Sequence, residues 1–578
     1  MELTDDIGIS SLIVPNKFMK ASYGETLRNK ISGEKKLLSI VDFGDYQIFD
    51  GVSTYTCILS VSSQRTDNAT FATADSDRLK EIEKNTVEQE SLENTTWNTI
   101  VGPEGELLTH LLSEFPNLGD LSQEIYQGVI TGGDDHFILN KIDEGSDLVT
   151  VERRDNGEQH QIEKQILRPF SKGADVRRYS FQNDDKVLFY PYSGDKQDSS
   201  LIPENGLKEN YPKAYEYLSE YRESLKSRGS SSMNYPSWYS LWNPRSGWKF
   251  EEKKIVTPVI AESGRFAYDD SEMYFNGSGG GGGGAYGIIL SETDYSERAI
   301  AGILNSNVSD FVIRHTSSQF QGGFYAYNRQ YIKEIPIPER KNSLEQSVPR
   351  ESIGGNDSPS EVLDQLVQGS ERSRRKRYSL NLNLLDYLGV YNSSQTLGDI
   401  GLIQPPENAA DSVLQSTAEQ RPNLRVGKGE VIRQSSSTVE IYLTARYKPD
   451  DEDAHETDQW GYTETEYLPA FRITDLTERE ADLIEHFVPV AVDEAGGFAN
   501  FRETATKTNS LIDRLKTIEV PDVDDVADDL ENYLATKERA EELDAKIEQT
   551  DALIDEIVYE LYGLTDEEIE IVEEAVSD

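Results

Sequence analysis

The chain has 578 residues, with 57 Lys and Arg against 105 Asp and Glu, a formal net charge of −48, and is long enough for several domains that each bury a core. Such a charge repels nucleic acid in dilute buffer, where neutralised phosphates supply most non-specific affinity. It is also the habit of proteins from salt-loving organisms, where the screening length shrinks to roughly 3 Å at 1 M salt and local contacts decide. A lone cysteine excludes a disulfide framework, six scattered histidines offer no metal-ligand spacing, and neither an apolar run of ~18 residues nor a charged-then-apolar leader occurs. The expectation is a metal-free, soluble, cytoplasmic protein.

At the N-terminus, Ser11 to Val14 reads as a buried strand closed by Pro15, and Lys17 to Ile31 has helical character. Two runs rich in β-branched and aromatic residues, Leu37 to Phe43 and Val52 to Val61, flank a polar turn that carries an isolated aromatic, Phe49. They predict a strand pair with a tip. Cys57 falls inside the second strand, so a buried free thiol is expected. From Thr66 to Asn98 the sequence is polar, acidic and poor in large aliphatics, which predicts a solvated connection with some helix.

The order Leu12-Ile13-Val14-Pro15-Asn16-Lys17-Phe18, a hydrophobic strand, Asp42-Phe43-Gly44, Phe49, Thr54-Tyr55-Thr56 and a second strand resembles the last part of an amino-methylating DNA methyltransferase domain. The nearest resemblance is to adenine-specific methylases with a TaqI-like target-recognition domain, as in type IIG restriction-modification enzymes, here with an acidic composition of the haloarchaeal type. The resemblance implies that Phe49 stacks on an adenine rotated out of the duplex, since an enzyme acting on a base must replace the stacking it removes. On spacing alone, Phe49 reads sooner as a core residue of the hairpin, and it is the neighbouring matches that favour the stacking role. The complete family enzyme uses S-adenosylmethionine, held by a glycine-rich turn, and an Asn/Asp-Pro-Pro-Tyr/Phe motif. The chain opens with Met1-Glu2-Leu3-Thr4-Asp5-Asp6 shortly before the match and contains no Asn-Pro-Pro-Tyr. Residues 1–98 are therefore expected to be an α/β remnant of the methyltransferase sheet plus a linker, with no catalytic residue, no cofactor bound by this chain alone, and an open sheet edge that calls for a partner.

Near Pro103 a second domain is expected, spanning 99–345. Leu107 to Leu112 is apolar at helical spacing. In Ile125 to Leu139, Gly128, Gly132 and Gly133 bracket two strand-like runs, where glycine permits positive φ or close approach of another backbone. An ordinary β-hairpin would explain this stretch. It also resembles the entry of a TaqI-like recognition domain, and further matches follow in the family's order. These are Ile166-Leu167-Arg168-Pro169-Phe170 to Tyr179, Tyr235-Pro236-Ser237-Trp238-Tyr239, Lys253-Lys254-Ile255-Val256-Thr257-Pro258, Arg265-Phe266-Ala267-Tyr268-Asp269, Gly302-Ile303-Leu304-Asn305-Ser306, Gly322-Gly323-Phe324 and Tyr331 to Pro338.

Local charge fits a DNA partner. Lys164, Arg168, Lys172, Arg177, Arg178 and Lys186 face only Asp175, Asp184 and Asp185 in their stretch. Arg245, Lys249, Lys253, Lys254 and Arg265 face Glu251, Glu252 and Glu262 in theirs. Basic islands interleaved with Tyr and Trp suit phosphate and groove contact to double-stranded DNA. Lys172, Arg177, Arg178, Lys253, Lys254 and Arg265 are the expected DNA contacts, and Trp238, Tyr239, Trp242 and Trp248 are mostly expected in the core. The glycine run Gly277 to Gly284 lacks Gly-Lys-Ser/Thr and precedes a strand-like Ile288-Ile289-Leu290, so it predicts a flexible loop and no phosphate site. Glu251-Glu252-Lys253 belongs to the recognition pattern, and no nuclease signature stands out.

Residues 346–510 read as a helical linker and an accessory α+β lobe. Val362, Leu363, Leu366 and Val367 share a helical face, followed by Arg372, Arg374, Arg375, Lys376 and Arg377, whose expected role is to neutralise acidic neighbours. Short strands at Val439 to Leu443 and Glu466 to Ile473, an acidic loop at Asp450-Asp451-Glu452-Asp453, and a helix from Glu478 to Phe487 follow. Residues 511–578 predict long helices. Leu543, Ile547, Ile554, Ile557 and Leu561 form one stripe, Gly563 ends the helix, and Thr565-Asp566-Glu567-Glu568 caps the next. The stripe needs a packing partner, in cis or from another subunit. The function this composes is DNA recognition for site-specific adenine methylation, with the catalytic half supplied upstream or by a separate chain. Alternatives are a non-catalytic specificity subunit with the C-terminal helices as its interface, or an inactive remnant.

Overall fold

In the computed structural model the hairpin around Phe49 is present at both of its strands. The description covers all residues except 1–7, 45–47, 50–53, 75–82, 93–96, 98–101, 183–184, 194–198, 229–234, 278–282, 340–357, 407–411, 418, 422, 450–456, 459, 495–507 and 578. Parts of the expected tip, the expected acidic loop and most of the glycine run thus lie outside the described residues. β1 (Ile9–Pro15), β2 (Leu37–Asp42), β3 (Thr56–Ser62), β4 (Asn68–Thr73) and β5 (Glu83–Glu88) form one sheet in the order β1-β3-β2-β4-β5. β3 runs antiparallel to both β1 and β2, while β2 and β4 are parallel.

Pro15 ends β1, and a helix over Glu25–Gly33 follows. Phe18, Ile31, Ile40, Cys57, Leu59, Phe71 and Trp97 close a small core of their own, with the Trp97 ring edge-on to Phe18 and Phe71 at 6.0 and 6.4 Å. Burial pushes the Cys57 thiol up to about 12, so it stays an inert thiol. The connection expected from Thr66 to Asn98 is corrected, since β4 and β5 extend the sheet there. In β4, Ala69 and Phe71 are buried on one face and Ala72 on the other, and small residues carry little hydropathy even when they pack.

The recognition region is built on two larger sheets, beside smaller two- and three-stranded ones. A six-stranded one runs Tyr274–Phe275, Leu167–Ser171, Lys186–Phe189, Ile138–Glu144, Leu148–Glu152, Gln159–Glu163, and a four-stranded one runs Ala267–Asp269, Lys254–Pro258, Ala285–Leu290, Ser122–Gln127. Ser122–Gln127 and Ile138–Glu144 therefore belong to different sheets, which replaces the ordinary hairpin with a crossover. Its glycines do what their positions required. A Cβ on Gly128 would sit 2.2 Å from the Phe275 carbonyl oxygen, and Gly132 has φ +68°. Val129 N donates to that same Phe275 carbonyl at 2.9 Å, stitching the crossover to the strand before the glycine run.

Helices Glu297–Leu304 and Asn307–Thr316 start on Ser296 and Ser306, whose hydroxyls accept from Ala299 N and Ser309 N. Ile300, Ile303, Val308 and Phe311 pack with Val362, Leu363 and Val367 of helix Pro359–Ser379, and with Ile554, Ile557, Val558, Leu561 and Val572 from the C-terminus. The C-terminal part of the apolar stripe, Ile554, Ile557 and Leu561, thus finds its partner in cis. Gly563 (φ +72°) ends helix Ala527–Tyr562, and Thr565 N donates to Glu568 at 2.8 Å at the start of Asp566–Ser577. Arg374 pairs with Asp551 and Arg375 with Glu371, the neutralising role expected of that cluster.

Met1–Tyr378 with Ala545–Asp578 forms one compact unit and Ser379–Asp544 a second. The expected boundaries near 98 and 345 fall inside the first unit, and the expected segment 511–578 contributes to both. In the second unit, strands Leu402–Gln404, Leu468–Thr474, Thr438–Tyr447 and Arg425–Ser435 form a sheet in that order, with Thr463–Glu464 beside Thr438–Tyr447. Helix Glu478–Glu494 joins its core through Ala481, Ile484, Phe487 and Val488. Among the described residues no helix is long and apolar enough to cross a membrane.

Candidate nucleic-acid interface

The turn after β2 is built by one asparagine. Asn16 Nδ2 donates to Asp42 Oδ1 and to the Gly44 carbonyl, both at 2.9 Å, and Gly44 takes φ +58°. Burial pushes the Asp42 carboxyl up, with the Asn16 and Gly44 N–H groups opposing. The chain returns at Tyr55, whose hydroxyl accepts from Gln321 N at 2.9 Å, just before Gly322 and Gly323, both at positive φ. This bond ties the first sheet to the recognition region. Between them lies a cleft of about 220 Å³ lined by Asn16, Lys17, Lys20, Gly44, Tyr55 and Arg314, among others.

Both ends of the Phe49-bearing connection, Gly44 and Tyr55, line this cleft. Phe49 itself is 44% exposed, so the core role that spacing alone allowed it is not the one it has here. The Lys17 ammonium lies 4.9 Å from the Phe320 ring centroid and 5.9 Å from that of Tyr55. Lys20 Nζ donates to the Ser317 carbonyl at 3.1 Å, and burial pushes its ammonium down to about 8 against the pull of Asp42. Lys20 and Gln321 were not singled out from the sequence, and Lys17 and Tyr55 entered only as members of the methylase-like motifs, with no site role. A further signal was the Lys17/Lys20 spacing, which sets two cations on one side of a helical turn.

The expected DNA contacts divide. Lys253 is exposed, and neither it nor Arg177 has a carboxylate within 4 Å among the described residues. Arg177 caps the carbonyls of Ala174 and Val176. Lys172 is half-buried, its ammonium 4.0 Å from Asp134. Arg265 pairs with Glu262 at 3.1 Å, both partly exposed, a geometry that holds loosely. Gly173 N donates to Gly283 O, Val259 N to Gly284 O and Tyr179 N to Phe266 O, so the segments bearing Lys172, Arg177 and Arg265 are laced together. Lys253 precedes strand Lys254–Pro258, whose far end reaches Val259, roughly 15–20 Å away at ~3.3 Å per residue.

Two contacts are corrected. Lys254 is fully buried, its ammonium donating to Asp269 and to the carbonyls of Phe250 and Glu252. Arg178 lies 3.5 Å from Asp551 and 4.0 Å from Asp555 of the long helix, with 24% of its side chain exposed. Both cations are committed to carboxylates inside the protein, because the strand alternation and the packed helix turn them inward. Trp242 is likewise corrected, being 43% exposed, whereas Tyr239 is buried and Trp238 and Trp248 are partly so.

Comparison with known proteins gives two family matches. Residues 168–337 match the TaqI-like C-terminal specificity domain, and residues 1–49 match the Eco57I restriction-modification methylase. The type II restriction enzyme and methyltransferase RM.Eco57I of Escherichia coli is 23% identical over 363 residues, 58% of this chain and 35% of that protein. The type II methyltransferase M.XhoI of Xanthomonas vasicola is 23% identical over 356 residues, 58% of this chain and 60% of that protein. The chain thus spans from a third to three fifths of the length of these relatives. Among solved structures, the type IIL restriction-modification enzyme MmeI in complex with DNA aligns over 64% of this chain and 42% of its own at 11% identity, with a TM-score of 0.37. The chain is similar to type II restriction-modification methyltransferases, and the match over 168–337 is to their TaqI-like specificity domain.

Proposed function

We propose that this chain supplies DNA recognition for site-specific adenine methylation in a restriction-modification system of the type IIG kind. In the complete enzyme a methyl group passes from S-adenosylmethionine to the exocyclic amine of an adenine taken out of the duplex. The observation that carries the reading is the exposed Phe49 ring on a connection whose two ends line the cleft between the first sheet and the recognition region. An extruded base needs a flat apolar surface in place of its lost neighbours, and Phe49 offers one. Lys172, Arg177, Lys253 and Arg265 are the DNA contacts in this reading, with Lys254 and Arg178 left to the interior.

The residues present do not fit S-adenosylmethionine. Its glycine-rich turn belongs between a strand and a helix, whereas β1 runs through Pro15 and Asn16 toward its helix, and the glycine run joins two strands. No step is routed through the cofactor here. In this reading a catalytic half packs against the chain at β1. It is an edge strand with Ile9 (62% exposed), Leu12 (56%) and Ile13 (59%) facing outward, a pattern that soluble proteins cover.

The test joins the chain to a methyltransferase half carrying the missing motifs, in molar salt, and follows methyl transfer to duplex DNA. Phe49→Ala is expected to slow transfer about 5- to 150-fold, the range by which removing a stacking aromatic weakens a held base, while Phe49→Trp preserves it. An unchanged rate in Phe49→Ala removes the ring from the site.

A further inference from the structure

Far along the chain, in the second unit, lies a surface corner that the recognition reading leaves unused. Arg425 and Arg446 sit directly opposite each other in the pairing of Arg425–Ser435 with Thr438–Tyr447, an arrangement of like charges that costs stability. The Tyr462 ring stands among the cations. Its centroid is 5.0 Å from the Arg425 guanidinium, 5.3 Å from that of Arg446 and 5.1 Å from the Lys448 ammonium. Arg446 also pairs with Asp458. Arg425 and Lys448 are exposed and have no carboxylate within 4 Å among the described residues.

Next to them a tight turn holds up an indole. Asp458 Oδ1 accepts from Trp460 N at 2.8 Å and from Tyr462 N at 3.0 Å, and Gly461 takes φ +73°. Backbone hydrogen bonds first, with Arg446 behind them, hold the Asp458 carboxyl below its usual range, so the turn stays pinned at neutral pH. Trp460 on this turn is 65% exposed. Together Arg425, Arg446, Lys448, Trp460 and Tyr462 line a concavity of about 380 Å³. In a chain of charge −48, three cations gathered at a cost beside a bare indole on a fixed turn is a local conflict of the kind that marks binding sites.

We propose that this corner binds an unpaired nucleotide of single-stranded DNA, its base against Trp460 and its phosphate between Arg425 and Lys448. A duplex contact needs cations alone, since its bases show no free face. An unpaired nucleotide needs both a cation and a flat ring, and this is the pair of groups present. The choice of DNA over RNA rests on the function proposed above; the chemistry of the corner does not.

The experiment measures anisotropy of a fluorescein-labelled oligothymidylate of about a dozen residues titrated with the full chain, beside a duplex of equal length and an oligouridylate. Trp460→Ala is expected to weaken single-strand binding about 5- to 150-fold, with Trp460→Phe retaining most of it and the duplex isotherm unmoved. Arg425→Ala with Lys448→Ala, which removes the one phosphate contact, is expected to lower the slope of log affinity against log salt by about 0.7, at ~0.7 per phosphate on single strands. Unchanged single-strand affinity in Trp460→Ala, or an equal loss on the duplex, overturns the proposal. So does tighter binding of oligouridylate than of oligothymidylate, which assigns the corner to RNA. No catalytic half is present in this assay, so its result stands apart from the Phe49 test.

Discussion

Replacing Lys254 separates a core cation from a DNA contact. Its ammonium is enclosed, donates to one carboxylate and two carbonyls, and is pushed below the usual lysine range by burial despite Asp269. Asp269 is equally enclosed and also accepts from Ser271 N and Met273 N, both at 3.0 Å. Lys254→Met removes the cation, leaving a buried carboxylate with two backbone donors and the Ser271 hydroxyl. Breaking such a pair from one side costs about 3–5 kcal/mol, against ±0.5 kcal/mol for a surface lysine. Urea unfolding in molar salt is the assay, followed by tryptophan emission, with the midpoint read at constant m-value. The double variant Lys254→Met with Asp269→Leu is expected to recover most of the loss, since a hydrophobic replacement of a buried pair is often near neutral. If Lys254→Met unfolds like the parent and instead lowers the salt slope of DNA binding by about 0.9, the lysine faces the duplex and the reasoning fails.

The other predictions concern DNA, pH and backbone. Arg177→Ala should weaken duplex binding with little effect on the unfolding midpoint, whereas Arg178→Ala, which takes a cation from Asp551 and Asp555 and leaves them to Arg374 and Asn307 N, should destabilise the fold; the same two assays on both variants reveal a reversal. Burial raises the Asp555 carboxyl to about 6, opposed by Arg178 and Asn307. A raised carboxyl means the native state holds its proton more tightly than the unfolded chain, so this contribution is full below about pH 4 and is lost as pH rises through 6. Comparing stability at pH 4 and pH 7 in parent and Asp555→Asn should show a difference of about 3 kcal/mol from that group; equal pH dependence would refute it. Gly128→Ala should destabilise by more than ~1 kcal/mol, because its methyl meets the Phe275 carbonyl, and a parent-like melt would show that the crossover yields.

How far the sequence disclosed this can be judged from particular residues. The hairpin and the C-terminal cap were legible because alternation and a Thr-x-x-Glu box are local signals. β4 was not, because Ala69 and Ala72 pack without looking apolar. Lys253 and Lys254 were counted together as one basic island, yet neighbours on a strand point to opposite faces, and only Asp269, paired across the sheet, decides which of them goes in. Arg178 finds its carboxylates on a helix near the far end of the chain, a distance no window of sequence spans. The Arg425–Arg446 opposition exists only once the register is known.

These corrections change what a net charge of −48 means for a chain proposed to hold DNA. Two of the cations counted toward the duplex are spent on internal carboxylates, so fewer charges face the phosphates than the sequence suggested. Affinity resting on four contacts falls with salt at a log-log slope near −3.6, using about 0.9 per phosphate, or roughly 4,000-fold for each tenfold rise in salt. What molar salt does not screen is contact between flat apolar faces, whose strength comes from area removed from water. Phe49 and Trp460, both exposed, are therefore the groups on which the proposed hold on a base rests at high salt, with the remaining cations setting position more than strength.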